Sequence, residues 1–413
     1  MPSGHAARCG RSALACAVVV ASVPAAALAL AEPPAEMASA AAIGSTSASS
    51  VAPTTASVTP IGYVEAYYAY NLNRPSNGIT NFRAFDNRSN SFTLSNAAIG
   101  ASWQAGDVSG RIVLQVGATP SAYYASEPTL AGASGANASG PELWKYLQEV
   151  NVGYKAPIGR GLLVQAGLFL SPIGPEVVPI KDNWNWSRSS LFYALPFYHV
   201  GVRATYELVD GLSATAAIYN GWNNVVDANE AKSVAVSLAY KRGFLSGQLL
   251  YFGGIERATG APEGPYWRHD LDAYAQVDAG ARLSFLAHAN AGLEPGRFGV
   301  ARWAAGALYA RVKTADWLYV VARGDRFYED VPSNASGRAT PIFWPVAWVS
   351  SATLTLDARP RDFIAVRLEY RHDQADGPIY FRSNVQGDGS VSSPFIANAN
   401  SQDTLTLGVT SWF

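Results

Sequence analysis

The last ten residues, 404–413, read TLTLGVTSWF and alternate between two kinds of side chain. In an extended strand, successive side chains point to opposite faces of the sheet. One face of this stretch would be polar or small, and the other would carry Leu405, Leu407, Val409 and Phe413. The stretch therefore predicts an amphipathic strand that runs to a terminal aromatic residue.

A terminal strand of this kind is typical of bacterial outer-membrane barrels, in which the apolar face contacts lipid. A soluble strand would need another layer to cover its apolar face, and the chain shows almost no helical pattern that could supply one. We therefore expect residues 404–413 to close a transmembrane barrel. We also expect the barrel-assembly machinery to recognise this strand through Phe413.

The amino-terminal residues 1–31 have the pattern of a secretory signal peptide. Two arginines precede an apolar stretch at 13–28, and an A-x-A cleavage site follows at 29–31. A transmembrane anchor is the alternative, but the apolar segment is short and contains Pro24. Residues 32–59 are rich in Ala, Ser, Thr and Pro, and they predict a flexible periplasmic linker before a barrel at 60–413.

Composition narrows the class of protein. Both cysteines, Cys9 and Cys16, lie in the predicted signal peptide, so no disulfide is expected after processing. The chain has 21 Tyr and 11 Trp, and only 15% of its residues are charged. Its formal net charge of −1 argues against a nucleic-acid partner. Few charges, many aromatic residues and short alternating segments favour a membrane barrel over a soluble domain.

Sixteen strand candidates follow the linker. They start near residues 61, 91, 108, 146, 161, 198, 212, 233, 244, 270, 281, 300, 317, 344, 363 and 402. Short connections with turn residues alternate without exception with long ones at 72–90, 118–145, 171–197, 220–232, 253–269, 292–299, 329–343 and 373–401. This alternation predicts an all-β, antiparallel, up-and-down transmembrane barrel with tight turns on one side and long loops on the other. A lipocalin-like soluble barrel would have only about eight strands.

The predicted inward face carries charges of both signs. The basic residues are Arg111, Lys155, Arg203, Lys241, Arg282, Arg323, Arg367 and Arg371. The acidic residues are Glu65, Glu149, Glu207, Asp272, Asp278, Asp325, Asp357, Glu369 and Asp373. Unpaired charges in a dry core are costly, so this set predicts a water-filled lumen. We take Arg203, Arg282, Arg323, Arg367, Glu369 and Arg371 as candidate pore-wall residues. Eight basic and nine acidic groups are too balanced to predict an ion preference.

The connection at 171–197 mixes aromatic and charged residues, which would be wasteful on an exposed tip. We expect it to fold into the lumen and narrow the channel, with packing over the rim or against another subunit as the alternative. Its charged residues are the candidate constriction residues Glu176, Lys181, Asp182 and Arg188.

Four segments resemble the OmpL-like family of outer-membrane β-barrel porins. They are GYVEAYYAYNLNRP (62–75), FRAFDNRSNSF (82–92), WSRSSLFYALPFYHVGVR (186–203) and NGWNNVVDANEAK (220–232). The resemblance covers nearly all of the barrel. It implies an outer-membrane barrel of a Gram-negative bacterium and passive transport, without naming a solute or functional residues.

The expected function is a porin through which small hydrophilic solutes or ions diffuse passively. Its expected partners are outer-membrane lipid and these solutes, and homo-oligomerisation stays open. An outer-membrane hydrolase is one alternative, because His269–Asp270 and His372–Asp373 lie at the loop ends of strands. A structural or adhesion barrel with a plugged lumen is another. The spacing of the histidines predicts no metal site, and no nucleotide or other cofactor motif occurs.

Overall fold

The computed structural model describes residues 55–130 and 138–413. Sixteen strands pair with their neighbours in antiparallel fashion and close into one barrel. The strands are β1 (Ser57–Asn71), β2 (Ser91–Ala105), β3 (Val108–Val116), β4 (Leu147–Ala156), β5 (Leu162–Leu170), β6 (Tyr198–Val209), β7 (Leu212–Tyr219), β8 (Ser233–Arg242), β9 (Leu245–Ile255), β10 (Trp267–Ala279), β11 (Leu283–Gly296), β12 (Gly299–Ala315), β13 (Leu318–Asp330), β16 (Trp348–Arg361), β17 (Ile364–Ala375) and β18 (Ser401–Trp412). A separate hairpin in one loop contains β14 (Ser333–Asn334) and β15 (Gly337–Arg338).

The predicted barrel and its strand count are confirmed, and each predicted strand start lies within four residues of an observed one. The signal-peptide prediction at 1–31 lies outside the described residues, and so does most of the linker prediction. The first strand begins at Ser57, so the last residues of the predicted linker belong to β1. No helix in the described ranges is both long and apolar enough to cross a bilayer.

The carboxyl-terminal strand closes the barrel as predicted. In the pairing of β1 with β18, Tyr63 lies opposite Trp412 and Asn71 lies opposite Thr404. The amide of Phe413 donates to the carbonyl of Gly62 at 3.0 Å, and the phenyl ring covers this glycine. A Cβ at position 62 would lie 2.1 Å from the ring, so only glycine allows the ring to sit there.

The prediction of a long loop at 292–299 was wrong. Strands β11 and β12 extend toward each other until only Arg297 and Phe298 separate them. Gly292 suggested a loop, but it is paired in the sheet opposite Trp303. The indole ring of Trp303 occupies the space that a Cβ at position 292 would need. The glycine therefore makes room for a buried aromatic side chain inside a strand.

The two faces of the strands differ as the alternation predicts. On β18, the outward residues Leu405 and Leu407 are 44% and 50% exposed, while Thr404 and Thr406 on the inner face are buried. Outward leucine and valine side chains recur around the barrel, which suits a lipid environment.

Aromatic side chains fill part of the barrel interior at the end that carries the long loops. One cluster combines residues of four loops and two strands, with Phe85, Tyr123, Tyr124, Leu168, Val178, Phe192, Tyr198 and Val225. A second cluster includes Trp303, Phe327 and Trp344. Three short helices belong to the loops: α1 (Ala118–Tyr123), α2 (Pro141–Trp144) and α3 (Ser190–Tyr193). These loops pack inside the sheet and leave open space mainly near the turns.

Candidate functional site: a loop across the barrel lumen

Residues 171–197, here called the lumen loop, connect β5 to β6 and lie inside the barrel. Their backbone amides reach carboxylates on distant strands. Ile180 donates to Glu65 on β1 at 2.6 Å, and Ser190 donates to Asp325 on β13 at 2.9 Å. These bonds satisfy backbone groups of a non-repetitive segment that is removed from water.

Strand β17 holds the lumen loop through two neighbouring inward side chains, Arg367 and Glu369. The Glu369 carboxylate accepts hydrogen bonds from the amides of Trp186 and Ser187 at 2.7 and 2.9 Å. The Arg367 guanidinium donates to the carbonyls of Ile180 and Asn183 at 2.9 and 2.7 Å. An anion therefore holds loop amides and a cation holds loop carbonyls, side by side on β17.

Apolar contacts complete the attachment. The indole ring of Trp186 lies against Gly408 of β18, where a Cβ would approach the ring to 2.1 Å. Leu191 is fully buried against Leu286 of β11 and Tyr309 of β12. Of the aromatic residues of the loop, Trp186 and Phe192 are buried, while Trp184, Tyr193 and Phe197 are half-buried.

The predicted constriction residues divide into two pairs. Glu176 and Arg188 are 7% and 4% exposed, so neither faces open water. Glu176 forms an ion pair with Arg323 at 3.2 Å and accepts a hydrogen bond from the Ser189 amide. Arg188 donates to three carbonyls of its own loop, including that of Trp186 at 3.0 Å. These two charges hold the loop in shape.

Lys181 and Asp182 are the other pair. The ammonium group of Lys181 lies 2.9 Å from both carboxylate oxygens of Asp182. Their side chains are 25% and 51% exposed, so this pair reaches solvent. A charge pair of this kind presents both signs to solvent at one place.

The predicted pore-wall residues also divide. Arg323, Arg367, Glu369 and Arg371 are at most 3% exposed and contact the lumen loop. We call these four, with Glu65 and Asp325, the loop-binding wall. Arg282 lies in the turn between β10 and β11 and is exposed, so it belongs to the rim instead of the strand wall. Arg203 is half-buried and lines open space.

A second loop reinforces this wall from the loop end. Arg83 belongs to the loop at 72–90, which connects β1 to β2. It forms an ion pair with Asp86 of the same loop and another with Asp373 on β17, the latter at 3.0 Å. Burial acts to raise the pKa of Asp86, but the adjacent Arg83 outweighs burial and holds that pKa below its usual range. Asp373 also accepts from Arg371 at 2.6 Å. These charges pair with one another and are buried, so on this side of the barrel they do not face open water.

Water-accessible space lies on the other side. Cavities of about 790, 490 and 270 Å³ are lined by inward residues of β1 to β10. Arg203 and Gln165 line both smaller cavities, and Thr205 lines the smallest and the largest, so the three adjoin. Pro175 and Pro172 of the lumen loop line two of them. The charged strand residues here, called the open wall, are Arg111, Glu149, Lys155, Arg203, Glu207, Lys241 and Asp278; Arg160, in the turn after β4, also lines the largest cavity and pairs with Asp210.

Sequence reasoning missed Arg311 on β12. It shares the inner face with the buried Trp303 and Tyr309, so the alternation could have placed it there. Its guanidinium lies 3.9 Å from the centre of the Tyr319 ring.

The two sequence-adjacent His–Asp pairs do not form dyads. His269 is exposed on the outer face, whereas Asp270 is fully buried on the inner face. His372 contacts Asp403 at 2.8 Å, while Asp373 belongs to the inner network. Neighbouring residues of a strand point to opposite faces, which explains both separations.

A different His–Asp pair forms inside the barrel. His288 and Asp272 approach to 2.7 Å, and the amides of Asn290 and Gly174 also donate to this carboxylate. Asp272 thereby fixes the start of the lumen loop. Within the described ranges, no group of three or more His, Cys, Asp or Glu residues could hold a metal ion.

Comparison with solved structures finds other outer-membrane barrels. A trimer form of in-vitro folded OmpT of Vibrio cholerae has 10% identity and a TM-score of 0.55, covering 87% of this chain and 99% of that one. The anion-selective porin from Comamonas acidovorans has 13% identity and a TM-score of 0.54, covering 87% and 100%. The outer membrane channel DcaP of Acinetobacter baumannii has 11% identity and a TM-score of 0.54, covering 87% and 97%. At these identities, the likeness shows the fold.

A comparison with curated protein sequences found no match. The model of one family, described as "Putative beta-barrel porin-2, OmpL-like", matches residues 57–413, which is the barrel from its first strand to its last residue. The chain therefore belongs to this OmpL-like porin family of the Gram-negative outer membrane.

Proposed function

We propose that the protein is a porin through which small hydrophilic solutes or ions diffuse passively across the outer membrane. The observation that carries this proposal is the open wall, where three adjoining cavities remain beside the lumen loop. Family membership supports it. Because the adjacent His–Asp pairs point to opposite faces, we propose no hydrolytic role.

The lumen loop is the proposed constriction. Its prolines line two of the cavities, and its exposed charges are Lys181 and Asp182. We revise the role of Glu176 and Arg188, which maintain the loop instead of contacting solutes.

Single-channel recording in planar bilayers tests the proposal. Wild-type protein should conduct, and shortening the loop between Glu176 and Ser190 should raise the conductance. A deletion of equal length in the loop at 376–400, whose Val391 is fully exposed, is the matched control and should leave the conductance unchanged. Heat-modifiable migration in gels verifies folding of each variant. A folded wild-type protein that does not conduct would refute the porin function.

A plugged barrel is the second candidate, because aromatic clusters fill the interior near the long loops. Under that function, wild type would be silent, and shortening the lumen loop would create conductance. The single-channel recording of the wild-type protein is therefore sufficient to distinguish the porin from the plugged barrel.

We also propose roles for the residues that precede the barrel, and we propose which partners bind the protein. Residues 1–31 serve as the signal peptide and 32–59 as a linker that ends in β1, which their composition supports. The assembly machinery recognises β18 through Phe413. The trimer form of V. cholerae OmpT supports homo-oligomeric assembly of this chain.

A further inference from the structure

Carboxylates of the described lumen are compensated. Glu149 forms an ion pair with Arg111 at 2.6 Å, and Asp357 forms ion pairs with Arg359 and Arg367 at 2.9 and 3.2 Å. Three inward carboxylates without an ion pair, those of Glu65, Asp270 and Glu369, are at most 1% exposed and do not face open space. In the largest cavity, Lys155 and Lys241 balance Glu207 and Asp278, and Arg160 is paired with Asp210.

Arg203 differs from these compensated groups. Its guanidinium lies 4.1 Å from the centre of the Phe169 ring, and its Nε donates to the neutral Gln165 side chain at 2.9 Å. It has no carboxylate partner among the described residues. It lines the two smaller cavities, and the smallest one has no acidic lining residue.

Arg311 on β12 repeats this arrangement, six strands away from Arg203 on β6. The half-buried guanidinium stacks on Tyr319 at 3.9 Å, and its Nε is buried without a hydrogen-bond partner in the described part of the chain. The nearest carboxylate network, at Asp357, is already shared by Arg359 and Arg367. Arg311 therefore has no carboxylate partner of its own among the described residues.

Stacking on an aromatic ring explains how both arginines are held in place. The ring face holds the planar guanidinium in position without neutralising its positive charge. A carboxylate partner would neutralise that charge. Fixed charges in a narrow, weakly screened lumen raise the local concentration of ions of the opposite sign. Two such arginines would attract small anions.

We propose that the channel prefers anions, and that Arg203 and Arg311 are its two anion-pairing stations, suited to inorganic and carboxylate anions. This inference rests on the proposed porin function. It assigns the sign of the transported ion, which the balanced residue tally left open.

Reversal potentials in a KCl gradient test the preference. Wild type should favour chloride. R203Q or R311Q should each lower the chloride-to-potassium permeability ratio about twofold or more, because the Coulomb energy between two unit charges a few ångströms apart exceeds the thermal energy even in water. R203K and R311K keep the charge and should retain most of the preference. K155Q is the matched control, since Lys155 lies in the widest cavity beside Glu207, and its shift should be smaller. A conducting wild type without chloride preference would overturn the inference and leave the porin function standing.

A binding measurement separates the two proposals. Inorganic phosphate should raise the melting temperature of the detergent-folded wild type, because a ligand bound only by the folded state stabilises it. The rise should shrink in R203Q and R311Q and vanish in the double variant. If wild type does not conduct but shows this stabilisation, the anion stations stand and the porin function fails. Equal stabilisation of wild type and the double variant would refute the stations.

Discussion

The loop-binding wall and the open wall come from the same alternating pattern, yet their charges act differently. On the loop-binding wall, Arg367 and Glu369 are buried and hold backbone groups of the lumen loop. On the open wall, Lys155 and Glu207 are exposed beside a cavity of about 790 Å³. The difference is that the lumen loop covers the loop-binding wall and leaves cavities beside the open wall. A charged residue on the wall therefore has a structural role where the lumen loop covers it, and it faces solute where the loop does not.

The largest expected effect comes from removing a cation of the loop-binding wall. Arg367→Met would remove hydrogen bonds to Ile180 and Asn183 and one ion pair to Asp357. Breaking a buried ion pair costs about 3–5 kcal/mol. We expect a loss of this order in the free energy of unfolding, measured by urea titration with tryptophan fluorescence.

Lys155→Met on the open wall is the matched control for that variant. It removes an exposed cation by the same substitution and should change the free energy of unfolding by about 0.5 kcal/mol or less. Equal losses in both variants would mean that the two walls do not differ in role.

A smaller loss is expected from pushing the lumen loop off its wall. In Gly408→Val, the new side chain would enter the space of the Trp186 ring, and such overpacking costs about 1–3 kcal/mol. Single-channel conductance should also change, because the displaced ring belongs to the proposed constriction. Gly324→Val is the control, since a Cβ at that position meets no atom within 4 Å. Unchanged stability and conductance in Gly408→Val would contradict the packing.

The fold was predictable because the two faces of a strand produce an alternation of apolar and polar residues that is visible in the sequence. On β18, each residue tells which face it occupies, and the same reading placed all sixteen strands. The error at 292–299 arose because Gly292 has a packing role beneath Trp303 that composition does not distinguish from a turn.

The site was predictable only in part, for a different reason. Alternation shows that Arg323 and Arg203 both point inward, but it does not show that the lumen loop covers one of them. The burial of Glu176 depends on a residue 147 positions away. Contacts of this range follow from the path of the loop, which no local pattern encodes.

Thiol accessibility gives a direct test of wet and dry walls, with a rate difference of about tenfold or more, since the reaction needs an accessible thiolate. Ser237→Cys lies at the smallest cavity, and Ser351→Cys replaces a buried serine that donates to Asp325. Because Cys9 and Cys16 lie in the predicted signal peptide, the introduced thiol should be the sole target in the processed chain. A charged, water-soluble methanethiosulfonate should modify the first variant quickly and the second slowly. Val391→Cys, at a fully exposed loop position, sets the upper rate. Equal rates at 237 and 351 would show that water reaches both walls.

The smallest expected effect concerns the one exposed charge pair of the lumen loop. Lys181→Gln would leave Asp182 uncompensated and should shift the reversal potential toward cations, and Asp182→Asn should shift it toward anions. The double variant should return near wild type, because the two charges lie 2.9 Å apart and a passing ion senses mainly their sum. Neither single variant should alter stability by more than about 0.5 kcal/mol, since exposed pairs contribute little. If the single variants leave the reversal potential unchanged in folded, conducting protein, ions do not pass this part of the loop, and the open wall alone sets the selectivity.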